Sequence, residues 1–186
     1  MKIPKIFLVL ILAALGLGVS NCSMYNSMVE QREEVNKSWS EIENQLQRRN
    51  DLIPNYVETV KGYATHEQEV FTKVADSRAK LAGAQSVEDK MNASNQLSGA
   101  LSRLIAIAEQ YPELKANQNF MGLQDELAGT ENRIAVARMR YNDAVKNYNT
   151  FIQHFPQLVF ARIFKFDKRP YFEAPAEAKK APQVKF

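Results

Sequence analysis

The chain has 186 residues, enough for one ordinary domain or one extended helical assembly. Its formal net charge is +3, and the value falls to +1 if the two lysines of the N-terminal segment are removed. Nucleic-acid-binding proteins usually carry a clear basic excess, so the charge argues against nucleic acid as a partner. A single cysteine excludes an intrachain disulfide and a cysteine-based metal cluster.

The N-terminal segment predicts export. A 14-residue run without a charged residue, Ile6 to Val19, follows two lysines. A helix of that length spans about 21 Å, less than the ~30 Å of a hydrocarbon core, which favours a cleaved signal segment over a transmembrane helix. Residues 19–22 read Val-Ser-Asn-Cys and resemble a bacterial lipobox, although Asn21 replaces the small residue usual before the cysteine.

We therefore expect residues 1–21 to be a lipoprotein-type signal peptide and Cys22 to be lipidated. The alternative is an uncleaved signal anchor with an incidental cysteine. In both cases the flanking charges favour a cytoplasmic start and an exported body, so the chain is expected on the periplasmic or surface side of a cell membrane.

The following residues predict long helices with narrow apolar stripes, as in coiled coils. The first stripe recurs at steps of four, three, four and seven residues and consists of Val35, Trp39, Ile42, Leu46 and Ile53. No segment alternates convincingly at the two-residue period of a strand. One long helix, or two stacked coaxially, is expected over about residues 25–82. Pro54 should kink this helix, because proline lacks the N–H group that the helix needs.

A turn is predicted at residues 83–89. Ser86 followed by Asp89 resembles a capping box with aspartate in place of glutamate, and this pattern marks a helix start. The second helix should therefore begin next to Ser86.

Prolines and an asparagine predict the limits of the later helices. Pro112 should stop the second helix, Asn119 should cap a third helix of about 35 residues, and Pro156 should close it. A fourth helical piece fits either from Pro54 onward or near residues 157–164. Because short connections favour antiparallel neighbours, the predicted fold is all-α, an elongated antiparallel bundle of long helices.

A polar cluster interrupts the apolar stripes. Arg49 occupies a stripe position between Leu46 and Ile53. The residues assigned to the cluster are Arg48, Arg49, Asp51, Asn55, Glu131 and Arg138. One interpretation is a buried charged layer that fixes the register of the helices at a cost in stability. The other is that these long side chains extend into water.

The end of the chain concentrates aromatic and basic residues. The residues assigned to an interface patch are Phe160, Arg162, Phe164, Lys165, Phe166, Tyr171 and Phe172. One interpretation is that the rings fold back and close the end of the bundle. The other is a surface that docks on a membrane or a protein partner. Residues 173–186 are predicted to be a disordered tail.

Motifs of familiar enzymes are missing from the sequence. His66-Glu67 begins a zinc-protease motif, but the motif requires a second histidine at position 70, where the residue is valine. No glutamate stands three residues before His66 or His154, as a di-iron bundle would require. We expect no catalytic residue, no metal, no cofactor, no small-molecule substrate and no enzymatic activity. A hydrolase with an unrecognised site is the remaining enzymatic hypothesis.

Several segments together resemble the LemA family. They include residues 48–55, 59–64 and 111–116, the pairs Ala137-Arg138 and Tyr141-Asn142, and the ending with Phe155-Pro156 and Tyr171-Phe172. The resemblance covers about residues 22–173. It implies a helical bundle at a bacterial membrane, and it implies no established reaction or catalytic residue. Many members are described as anchored by a transmembrane segment with a cytoplasmic bundle, a picture from which the N-terminal charges and Cys22 depart.

Two functional hypotheses follow for the bundle, residues 22–172. The first is a membrane-tethered, non-enzymatic scaffold of the bacterial envelope, held by its N-terminal segment or a lipid, that binds a protein partner or itself. The second is an accessory or regulatory subunit that presents a client to an envelope protease or a cell-wall enzyme. The second hypothesis requires one stoichiometric protein partner, whereas self-assembly alone favours the first.

Overall fold

A computed structural model describes the backbone of residues 5–173 and the side chains of residues 23–173. This part of the chain contains six helices and no strand, which confirms the predicted all-α fold. The helices are α1 (Lys5–Lys61), α2 (Gln68–Gly83), α3 (Val87–Ala108), α4 (Pro112–Lys115), α5 (Gln118–Phe151) and α6 (Gln157–Phe164). The predictions for the lipidated side chain and for tail residues 174–186 fall outside the described residues.

Among the residues that the structure describes, no helix combines the length and the apolar character that crossing a membrane requires.

The predicted helix over residues 25–82 is divided in the structure. α1 continues through Pro54 and ends at Lys61. The N–H groups of Tyr63 and Ala64 both donate to the carbonyl of Val60, at 3.0 and 2.9 Å, and close the last turn. The prediction of one continuous helix over residues 25–82 was therefore wrong. The chain turns after Lys61, seven residues beyond Pro54.

α2 folds back along α1 and does not continue its axis. Arg78 Nε of α2 donates to Asn50 Oδ1 of α1 at 3.0 Å, although Asn50 lies before the turn and Arg78 lies well after it. The coaxial alternative was therefore wrong as well. The same face of α2 buries Phe71 and Val74.

Polar side chains cap α3 and α5. Ser86 Oγ accepts the N–H of Asp89 at 3.0 Å, as the capping box predicts. α5 is capped by Asn117, whose Oδ1 accepts the N–H groups of Asn119 and Phe120 at 3.0 and 3.2 Å. The prediction that Asn119 is the cap was wrong by two residues, because Asn117 stands before the first helical N–H groups and Asn119 already donates one of them.

The two later prolines begin helices rather than ending them. Pro112 is the first residue of α4, after α3 has ended at Ala108. Pro156 precedes the first residue of α6, after α5 has ended at Phe151. Proline suits these positions because the first turn of a helix leaves its N–H groups unpaired. α6 confirms the predicted helical piece near residues 157–164.

The chain divides into two compact units. Unit 1 contains the described residues up to Trp39 and Arg140–Tyr171, and unit 2 contains Ser40–Met139 with Phe172 and Glu173. The core of unit 1 includes Met28, Val35, Tyr141, Val145, Tyr148, Ile152, Ala161 and Phe166. The core of unit 2 includes Ile53, Tyr56, Val60, Phe71, Leu97, Leu101, Leu104, Leu114, Phe120 and Leu127. Val35 and Ile53 of these cores belong to the predicted apolar stripe of α1.

Candidate functional site

Unit 2 contains a buried arginine that joins three helices. Arg49 of α1 has only 1% of its side chain exposed. Its Nη1 donates to Ser98 Oγ of α3 at 2.8 Å and to Glu131 Oε2 of α5 at 2.5 Å. Its Nη2 donates to Ser94 Oγ at 3.1 Å. These contacts join α1 to both α3 and α5, and a shift of either helix by one residue, about 1.5 Å, would break them.

A second arginine reaches the same serine. Arg138 Nη2 of α5 donates to Ser94 Oγ at 2.9 Å, and its guanidinium lies 4.3 Å from the centroid of the Phe172 ring. Burial lowers the pKa of both Arg49 and Arg138, and the carboxylate of Glu131 acts in the opposite direction on each. Arginine stays protonated in proteins, so two cations share one carboxylate here.

The other residues assigned to the polar cluster lie outside this layer. Arg48 is exposed and pairs with Glu126 at 2.6 Å. Asp51 is exposed and accepts from Gln47 on the same helix at 2.8 Å. Asn55 is exposed. The structure thus brings together Arg49, Glu131 and Arg138, which we call the arginine layer together with Ser94 and Ser98.

Sequence reasoning missed the two serines. Ser94 is fully buried and receives hydrogen bonds from both arginines. It lies three residues before the buried Leu97 and so on the apolar face of α3, and Ser98 lies four residues after Ser94. A hydroxyl at a stripe position is a signal that could have identified the partner of a buried polar group.

The C-terminal segment of unit 1 is held against α5 by a second polar group that sequence reasoning missed. The side-chain amide of Asn149 donates to the carbonyl of Arg169 and accepts its N–H, both at 2.8 Å. The hydroxyls of Tyr141 and Tyr148 donate to the carbonyls of Pro170 and Asp167, both at 3.0 Å. Residues 165–171, which we call the strap, are therefore pinned by three buried side chains of α5.

The assigned interface patch is divided by the fold. Phe166 and Phe172 are buried, so these two rings contribute to the interior. Phe160 is half-buried, whereas Phe164 and Tyr171 are about half exposed, and Arg162 and Lys165 are exposed. The interpretation that the rings fold back thus holds for Phe166 and Phe172, whereas Phe164 and Tyr171 face outward, and docking of the outward rings stays a prediction.

The two histidines lie far apart in the sequence and outside any described cluster of metal-ligating side chains. His66 and His154 are both exposed. Among the residues that the structure describes, no group of three or more His, Cys, Asp or Glu side chains is arranged to hold a metal ion.

The fold, the arginine layer and the C-terminal segment define a class of protein. It is an all-α bundle with buried polar contacts between helices and exposed apolar side chains on a short terminal helix. The sequence pattern of the LemA family matches residues 38–186, and the chain belongs to this family.

Three named relatives extend this comparison. Magnetosome protein MamQ 2 of Paramagnetospirillum magneticum and magnetosome protein MamQ of Magnetospirillum gryphiswaldense are each 28% identical, over 82% of this chain and 66% of their own. Protein LemA of Metamycoplasma hominis is 24% identical, over 70% of this chain and 60% of its own. The chain thus spans just under two thirds of these relatives. Together with the family, they favour a membrane-associated bacterial protein, and none of their names describes a reaction.

Proposed function

We propose that this protein is a membrane-tethered, non-enzymatic scaffold of the bacterial envelope, exported and held by an acylated Cys22. One observation carries the proposal. α1 continues without a break from Cys22 to Lys61, so the residue predicted to carry the lipid and the residue Arg49 belong to one helix. A tether of this kind presents the bundle in a defined way, whereas a flexible linker would not.

The arginine layer supports a scaffold role in a second way. Buried polar contacts of this type can set register and association state in helical assemblies. Arg49 is buried, and its partners lie on two other helices of the same unit. We infer that the layer keeps the helices in one register and so keeps their outer faces constant for partners or for a second copy of the chain.

The relatives support the membrane part of the proposal. Two of them are named magnetosome proteins, and a scaffold at a membrane is consistent with those names. For this chain we propose tethering and assembly alone, without a role in magnetosomes.

The assembly state of the full chain tests the scaffold role. The protein is extracted from native membranes in mild detergent, and its mass is measured by light scattering after size-exclusion chromatography. We expect a defined oligomer for the wild type, and a changed oligomer with retained helicity for Arg49→Leu. Arg48→Leu is the matched control, because its exposed side chain lies outside the layer.

Two results would contradict this proposal. One is a monomer without any bound protein in both wild type and variant. The other is a fixed complex with a single envelope enzyme, which would favour an accessory or regulatory subunit.

A further inference from the structure

We propose that α6 is a second membrane contact, whose outer face lies on the surface of an anionic bilayer beside the tether. This inference rests on the proposed tethering of the chain and adds a docking surface, a lipid chemistry and an orientation for unit 1. It stands on three observations, which are exposure, position and charge.

The first observation is an apolar face without cover. Phe155 is 83% exposed, Ile163 65%, Phe164 50% and Val159 47%. Val159 and Ile163 are four residues apart and lie on one face of α6, and the opposite face buries Ala161. Phe155 lies two residues before α6 and the other three side chains lie on it, and large exposed apolar side chains concentrated in one short segment are typical of a contact surface.

The second observation is the position of this face. The Tyr25 ring of α1 lies 5.2 Å from the Phe164 ring and 5.7 Å from the Phe166 ring, centroid to centroid. Tyr25 comes three residues after Cys22 in the same helix, an axial distance of about 4.5 Å. α6 therefore packs at the point where α1 leaves the predicted tether, and a lipid on Cys22 would bring the membrane surface to this end of unit 1.

The third observation is the charge around the face. Arg162, Lys165 and Lys168 are exposed, and between positions 155 and 171 the only acidic residue is Asp167. Basic residues beside exposed apolar side chains favour an anionic lipid surface, where each cation contributes about 1 kcal/mol, or about fivefold in the docking equilibrium. A second copy of the same face is disfavoured, because two-fold symmetry would bring the same cations together.

α6 is also held firmly enough to present its face. Lys165 ends the helix in the left-handed conformation, and the N–H of Phe166 donates back to the carbonyl of Ala161 at 2.9 Å. The strap then follows, pinned by Asn149. The docking surface is therefore part of the folded unit.

The position of residue 163 relative to lipid tests the proposal. The single native tryptophan is first removed from the full chain by Trp39→Phe. Ile163→Trp is then added, so that the only tryptophan reports on position 163. The matched control adds Glu34→Trp to the same background, at an exposed site on α1 about 13 Å along the helix from Tyr25. Both proteins are reconstituted in vesicles with brominated acyl chains, made either of phosphatidylglycerol or of phosphatidylcholine, and tryptophan quenching is measured. Val159→Trp is the second probe of the same face if Ile163→Trp alters the helical circular dichroism.

We expect the probe at position 163, and not the one at position 34, to be quenched in phosphatidylglycerol. Arg162→Gln should lower the equilibrium constant for docking of α6 on the bilayer about fivefold. Quenching at position 163 should also be weaker in phosphatidylcholine than in phosphatidylglycerol, and weaker at high salt than at low salt. Equal quenching at positions 163 and 34 would overturn the proposal. Shielding from aqueous acrylamide without bromolipid quenching would also overturn it, because the cover would then be protein. A chain that floats with the vesicles but is not quenched at position 163 refutes docking alone, whereas a chain that does not float refutes the tether as well.

Discussion

Arg49 and Glu131 form one ion pair in two different environments, since 1% of the Arg49 side chain is exposed and 44% of the Glu131 side chain is exposed. Nη1 and Oε2 are 2.5 Å apart, across 82 positions of sequence. The carboxylate can be hydrated if its partner is removed, but the guanidinium cannot. The two halves of the pair should therefore differ in what their removal costs.

We predict that Glu131→Ala destabilises the protein by about 3–5 kcal/mol, because it leaves a buried cation without its carboxylate. Arg49→Leu should change stability by only about 1 kcal/mol, since leucine continues the apolar stripe and Glu131 turns to water. Urea unfolding followed by helical circular dichroism measures both. The neighbouring Arg48–Glu126 pair is the control, since Glu126→Ala should cost at most about 1 kcal/mol on the surface. A larger loss for Arg49→Leu than for Glu131→Ala would contradict this account of the pair.

Tyr56 provides a prediction about pH. Its ring stacks on Phe120 at 5.1 Å, and its buried hydroxyl has no hydrogen-bond partner among the described residues. Burial, and secondarily the charge of Glu109, raises the pKa of Tyr56 from 10.0 to about 12. The protonated ring is favoured in the folded state, so its contribution to stability is complete below pH 10 and is lost as the pH rises from about 10 to 12.

Tyr56→Phe should therefore be neutral or stabilising at neutral pH, because it removes a buried hydroxyl that is not paired. It should also reduce the loss of Tm between pH 10 and pH 12. Burial raises the pKa of Tyr141 and Tyr148 too, so some loss should remain in the variant. Thermal unfolding over this pH range measures the effect. A variant that loses Tm as steeply as the wild type would show that Tyr56 is not the group responsible.

Asn149 should control access to the strap. Asn149→Leu keeps the approximate volume but removes both hydrogen bonds to the backbone of Arg169. We expect faster cleavage by trypsin after Lys168, because local release of the strap exposes that bond. Asn147→Leu, at an exposed site on the same helix, is the control and should leave the rate unchanged. Equal cleavage of wild type and Asn149→Leu, measured by mass spectrometry of early fragments, would refute the role of this amide.

Lys165 should tolerate glycine better than a β-branched residue. Its φ of 55° is the single positive value at a non-glycine position within the described residues. A side chain in this conformation costs about 1 kcal/mol, so Lys165→Gly should raise or maintain Tm, and Lys165→Val should lower it. Lys168→Gly is the control at an ordinary backbone position, where glycine should not stabilise. A lower Tm for Lys165→Gly would show that the lysine side chain contributes more than its backbone strain costs.

The helices and most of the core could be predicted from sequence, because the apolar stripes carry a strong periodic signal. Ile42, Leu46 and Ile53 on α1 are buried as expected. Pro54 does not end α1, as expected, because a long helix with packed neighbours tolerates a proline that would break an isolated one. The actual turn follows Val60, and the signal that could have located it is Gly62, which stands directly after the last residue of α1.

The arginine layer could be predicted only in part. Arg49 was identifiable because it occupies an apolar stripe position, but Arg48 and Asp51 could not be separated from it without knowing which face of α1 meets α3 and α5. The role of Asn149 was hidden for a different reason. Its partner is the backbone of Arg169, and backbone groups leave no pattern in a sequence.

The most direct test of the central claim is the intact mass of the protein extracted from membranes, for wild type beside Cys22→Ala. We predict a wild-type species that lacks residues 1–21 and carries acyl chains on Cys22, with no acyl mass in the variant. This result would place the bundle outside the cytoplasm and establish the lipid tether on which the proposed docking of α6 rests. A full-length wild-type protein without acyl mass would contradict the account, because residues 1–21 would then be retained and the tether would not be a lipid.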